Sequence, residues 1–97
     1  MQEKLLTTKI REYLKSIDGL WFYKHHGGQF GTAGTPDIIV CYQGRFIAFE
    51  VKAEKGRLTL LQAIVLRKIE SAGGIAKVVR SVDEVKSIID SLKIKGN

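Results

Sequence analysis

One cysteine, one proline, one tryptophan and one methionine occur in 97 residues. Cys41 has no second cysteine to pair with inside the chain, so no internal disulfide is available and nothing points to an oxidising compartment. No apolar run is long enough to span a bilayer. The first residues, MQEKLLTTKIREYL, are charged throughout and lack the apolar core of a signal peptide. There is no internal repeat, no low-complexity tract and no evident linker. The length fits one compact domain, 1–97, and excludes a second. The expectation is an intracellular, cytoplasmic protein with no membrane association.

The chain carries 16 Lys and Arg against 10 Asp and Glu, a formal net charge of +6. A positive field favours polyanionic partners, of which nucleic acid is the commonest inside cells. Basicity for solubility alone is the competing explanation. Apolar residues at 44% and charged residues at 27% are ordinary for a globular domain.

Periodicity divides the chain into seven elements. Leu6, Ile10, Tyr13 and Ile17 recur at helical spacing and predict a helix over Gln2 to Ile17, closed by Asp18-Gly19. Leu20 to His25 reads as a strand whose Trp21, Phe22 and Tyr23 are expected in the core. Gly27, Gly28, Gly31 and Gly34 then fall within eight residues, the pattern of a mobile loop. Strands from Asp37 to Tyr42 and from Arg45 to Ala53, joined at Gln43-Gly44, form an antiparallel hairpin. Thr59 and Gln62 make a capping box, which starts a helix at Leu60. Gly73-Gly74 stops it before a short strand, Ile75 to Val79. Ser81 with Glu84 opens a last helix. A strand–helix–strand unit places its strands in parallel. The fold class is therefore α/β, a mixed sheet flanked by helices in the order αβββαβα.

Chemistry concentrates on IAFEVKA, residues 47–53. Ile47, Phe49 and Val51 share one face of a strand, and Ala48, Glu50 and Lys52 the other. The strand sits between a hairpin and a crossover, so it is expected to be central. Two ionisable groups there are costly unless paired or bound. A surface charge pair on a half-exposed sheet is the commoner meaning of a lone Glu-X-Lys. Asp37 follows Pro36 and opens the preceding strand, thirteen residues before Glu50, which suits return across one hairpin. Two carboxylates converging beside a lysine repel each other without a cation, and carboxylate oxygens are what Mg2+ or Mn2+ takes. Pro-Asp is also an ordinary turn dipeptide.

Glu3 shares the apolar stripe of the first helix, whereas Glu12 lies about 200° from Ile10 at ~100° per residue. Glu3 either faces the carboxylates or favours the helix N-terminus through the macrodipole. Gln62 either closes its capping box or reaches from an apolar helix face toward a water, a phosphate or Lys52.

The sequence Gly34-Thr35-Pro36-Asp37, then Glu50-Val51-Lys52, then Gln62 resembles the PD-(D/E)XK nuclease superfamily. Within it, the chain resembles the VRR-NUC (virus-type replication-repair nuclease) family over nearly its whole length, including the closing IAKVVRSVDEV. Pro-Asp and Glu-X-Lys are weak patterns singly; their order and spacing carry the likeness. The resemblance implies a restriction-endonuclease-like fold and a Mg2+- or Mn2+-dependent DNA endonuclease. Asp37, Glu50 and the Val51 carbonyl would hold the metal. Lys52 would orient or activate the attacking water, with Glu3 and Gln62 supporting the site. The family includes Holliday-junction-resolving members, so branched or duplex DNA is the expected substrate, with no small-molecule cofactor beyond the metal.

Lys55 and Arg57 follow the catalytic strand and could contact phosphates, as could Lys24 and His25 near the glycine segment. His25 and His26 lack the third ligand that zinc needs. Lys93 and Lys95 read as a solvated basic tail. The helix from Leu60 to Ala72 is apolar around most of its circumference, which implies burial on two sides. A second subunit is the expected cover, and a symmetric homodimer would present two active sites. Two other functions stay open: a basic module that binds nucleic acid without cutting it, and a nuclease acting on RNA, flaps or single-stranded DNA.

Overall fold

Residues 1–26 and 33–93 are described by the computed structural model. They form α1 (Glu3–Lys15), β1 (Leu20–Lys24), β2 (Ile38–Tyr42), β3 (Arg45–Val51), α2 (Leu60–Ser71), β4 (Ile75–Val79) and α3 (Val82–Leu92). The order αβββαβα is the one expected. The four strands lie in the order β1-β2-β3-β4, with β1/β2 and β2/β3 antiparallel and β3/β4 parallel. Gln43 and Gly44, at φ 51° and 76°, close the β2–β3 hairpin, the left-handed pair that a two-residue turn requires to match strand twist.

One face of the sheet carries α1 and α3. Leu6, Ile10 and Leu14 of α1 meet Val85, Ile89 and Leu92 of α3 over Ile38, Val40, Ile47, Phe49 and Val51. Leu14 is fully buried, while Tyr13 and Ile17 sit at the margin. The stripe expected through Tyr13 and Ile17 thus runs four residues at a time through Leu14. Tyr13 lies under the Lys86 ammonium, 5.5 Å from its ring centre, an amphipathic ring keeping one edge near water.

The other face carries α2, whose Leu66 packs over Ala48 and Ala76. The two alanines leave room for a close approach. β3 is consequently buried on both faces from Ile47 to Val51, the central position expected of it.

One expectation about burial fails. Trp21 and Tyr23 are 61% and 44% exposed, not core residues. Alternation along β1 sends Leu20 and Phe22 toward the α1/α3 core and turns the other two rings, 5.7 Å apart, to the opposite face. The second side of α2 is not covered within the chain, where a second subunit is the expected cover: Leu60 is 78% and Leu61 46% exposed, and Leu66 is its one buried residue.

The capping box at Thr59 and Gln62 is complete. At α3, Ser81 Oγ accepts from Glu84 N at 3.2 Å, but the Glu84 carboxylate accepts from Arg80 N rather than from the Ser81 amide. Arg80 Nη1 in turn donates to the carbonyls of Ala53 at 2.8 Å and Gly56 at 2.7 Å. One guanidinium thereby fastens the segment after β3 to the start of α3. Lys93 is paired with Asp90 at 3.2 Å between exposed side chains; Lys95 lies outside the described residues.

Candidate active site

Asp37 and Glu50 meet at one end of the β2–β3 hairpin. Ile38 pairs with Phe49, and the antiparallel register continued by one residue sets Asp37 opposite Glu50. Pro36 is buried and restricts the chain entering this position. Asp37 Oδ2 accepts from the Val51 amide at 2.8 Å, so the carboxylate caps the end of β3. A strand residue's N–H and C=O point to the same side, so the Val51 carbonyl faces Asp37 as well. Lys52 N turns the other way and donates to Val79 O on β4.

Gly34 fixes the approach to this corner. Its φ is +80°, and a Cβ there would lie 2.8 Å from Leu61 Cγ and 3.2 Å from the Leu61 carbonyl oxygen. The chain before Asp37 therefore lies directly on α2, which the left-handed backbone and missing side chain of glycine permit. Of the glycine segment expected to be mobile, Gly27, Gly28 and Gly31 lie outside the described residues.

Glu50 is 2% exposed. Burial pushes its pKa up to about 8, helped by the adjoining Asp37 carboxylate; Lys52 opposes the rise and Glu3 adds to it. Gln62 Nε2 donates to Glu50 Oε2 at 3.4 Å. Glu50 Oε1 is buried with no hydrogen-bond partner. An orphaned carboxylate oxygen in this setting costs stability until a proton or a cation reaches it.

Gln62 closes its capping box, and its side chain also reaches inward, to Glu50 rather than to the expected water, phosphate or Lys52. Its Oε1 accepts from Thr59 N at 3.0 Å while its Nε2 faces Glu50, so one amide closes the helix and orients a carboxylate.

Beside Asp37 opens a groove of about 620 Å³, lined by Glu3, Thr7 and Arg11 of α1, by Lys24 and His26, and by Asp37 itself; Glu50 is not part of its lining. Glu3 is exposed within it rather than buried in the α1 stripe. Among the described residues no three His, Cys, Asp or Glu side chains form a metal-binding group; the charge of Glu3 raises the pKa of Glu50. Of the expected phosphate contacts, Lys24 lines the groove but His25 does not; the His25 amide is tied to the Asp37 carbonyl at 2.7 Å. Lys55 and Arg57 are exposed on the segment that Arg80 fastens. Arg11 and Lys4 were not singled out in the sequence. Their spacing with Thr7 and Thr8, one helical face of i, i+3/i+4 and i+7, was the available signal.

The sheet order and the flanking helices define a restriction-endonuclease-like α/β fold. Among solved structures, it is similar to two described as VRR_NUC domains. One structure described as a VRR_NUC domain superposes with a TM-score of 0.78 at 22% identity, covering 96% of this chain and 99% of that one. Another, described as a VRR_NUC domain protein, gives 0.73 at 21% identity over 93% and 86% of the two chains. No family model matches the sequence, and no curated protein matches it. The likeness is thus one of fold, where the sequence resemblance is met.

Proposed function

We propose that this protein is a VRR-NUC-type endonuclease that hydrolyses DNA phosphodiester bonds with Mg2+ or Mn2+, acting on branched junctions as a homodimer. The observation that carries the reading is the buried, unpartnered Glu50 Oε1 beside Asp37 and Lys52. A deeply buried carboxylate held against a second carboxylate is poorly suited to a purely structural role.

The donor set fits a hard divalent cation. Asp37 and Glu50 supply carboxylate oxygens and Val51 a carbonyl, and magnesium usually takes one or two carboxylates with waters and phosphate completing its shell. Such an ion, when bound, polarises a phosphoryl oxygen and acidifies its water. The chain's own groups supply the rest. Gln62 holds the Glu50 carboxylate in one orientation. Lys52 places an ammonium beside it, where it orients the attacking water and stabilises the negative charge that develops on the phosphate. Glu3 lends its carboxylate to waters at the groove entrance.

The homodimer rests on the uncovered half of the α2 face of the sheet. Trp21, Tyr23, Phe46, Leu60 and Leu61 are all substantially exposed, and large apolar side chains left open on this side favour an association surface.

The test is cleavage of labelled four-way junction, flap and linear duplex DNA with Mg2+ or Mn2+ and with EDTA. Metal-dependent cleavage strongest on the junction, abolished by Asp37→Ala and Glu50→Ala in folded protein, supports the proposal. Salt-sensitive binding without cleavage assigns a binding module instead.

A further inference from the structure

Two side-chain atoms among the described residues are buried without a hydrogen-bond partner: Glu50 Oε1 and Arg11 Nε. The first lacks a cation or proton. The second is a cationic donor that lacks an acceptor. Arg11 lines the groove that Asp37, the charged neighbour of Glu50, also lines. A buried guanidinium N–H with no acceptor costs free energy, and neither described salt bridge involves Arg11. Glu3, in the same groove, stands eight residues away on α1, roughly 12 Å at ~1.5 Å per residue, too far for a direct pair.

We infer that Arg11 is the groove's phosphate-gripping residue: its guanidinium takes a backbone phosphate of the DNA strand lying along α1. The inference rests on the nuclease reading for its choice of ligand. A guanidinium presents several donors in a fixed fork, which matches phosphate oxygens in pairs. Arg11 and Asp37 line the same groove, so Arg11 holds the strand beside the reacting bond and sets its register. Lys4 and Lys24 flank the same groove and add charge that any phosphate feels. Thr7 and Thr8 are engaged with the carbonyls of Glu3 and Lys4 through their hydroxyls, so they shape the wall without competing for the ligand.

Binding of a fluorescent 20-base-pair duplex to the full chain in EDTA, titrated across salt concentration, tests this. A residue contacting one phosphate changes the slope of log affinity against log salt by about one. Arg11→Gln should lower the slope by about that much and weaken binding about tenfold, as loss of a charged hydrogen bond implies. Arg11→Lys should keep the slope yet lose affinity, because an ammonium does not reproduce the fork. Lys77→Gln removes one charge from exposed β4 and should leave the slope unchanged. A wild-type slope in Arg11→Gln overturns the inference. So does an equal fall in Lys77→Gln, wild-type affinity in Arg11→Lys, or no DNA binding by the native protein. Native binding with the Arg11-dependent slope but no cleavage in Mg2+ upholds the inference and removes the nuclease reading.

Discussion

Gln62 Nε2 lies 3.4 Å from Glu50 Oε2 while Gln62 Oε1 closes the N-terminus of α2 on Thr59 N. A helix cap and a buried carboxylate are thereby coupled through one amide. Thr59→Ala and Gln62→Ala should each destabilise the protein by about 1 kcal/mol through loss of the cap. Only Gln62→Ala should also lower cleavage rate and metal affinity, because only it frees Glu50. Thermal unfolding read beside cleavage rate separates the two. Equal activity losses in both variants would reduce Gln62 to a capping residue.

The pKa of Glu50, raised to about 8, makes stability depend on pH in a defined direction. The folded state holds this proton more tightly than the unfolded chain, where a carboxylate releases it near the ordinary value of about 4.3. The contribution to stability is therefore full below that value and is lost as pH rises through about 8. Between those limits, melting temperatures of the metal-free protein should fall relative to Glu50→Gln as pH increases. Mg2+ or Mn2+ should displace the proton, so metal affinity should climb toward pH 8 and then level off. Identical pH profiles for the two proteins would contradict this assignment.

Gly34 connects the packing of α2 to the position of Asp37. Gly34→Ala would force a side chain into a left-handed backbone and against Leu61. The expected cost is about 1–3 kcal/mol, with activity reduced further because the displaced strand carries Asp37. Chemical denaturation and cleavage assays of the variant give both numbers. A stable, fully active Gly34→Ala would show that the approach tolerates movement.

The sequence legibly carried the parts that local chemistry controls. Thr59-x-x-Gln62 and Gln43-Gly44 each name a local geometry, and the β3–α2–β4 unit leaves a parallel pairing as its outcome. The acidic pair was legible because a thirteen-residue hairpin span returns Asp37 to Glu50. Burial was less legible. Trp21 and Tyr23 look like core residues by composition, but their exposure depends on how far α2 reaches across the sheet. The same holds for Leu60 and Leu61. Arg80 could not be singled out, because its partners are carbonyls at Ala53 and Gly56, far off in sequence and with no side-chain signature. Arg11 looked like one basic residue among sixteen until the groove gave it a neighbourhood.

The exposed apolar surface around Trp21, Phe46 and Leu61 should hold two copies together. Sedimentation equilibrium is expected to give a dimer for the native protein and a folded monomer for Leu61→Glu, since a charge at a desolvated contact is costly. A native monomer at high micromolar concentration would remove the dimer from the account.

The most direct measurement is a crystal structure with Mn2+, using anomalous scattering to locate the ion. The account requires a peak between the carboxylates of Asp37 and Glu50, with Glu50 Oε1 and the Val51 carbonyl turned toward it. Ordered Asp37 and Glu50 side chains with no manganese between them at saturating concentration, or manganese held elsewhere, would contradict it.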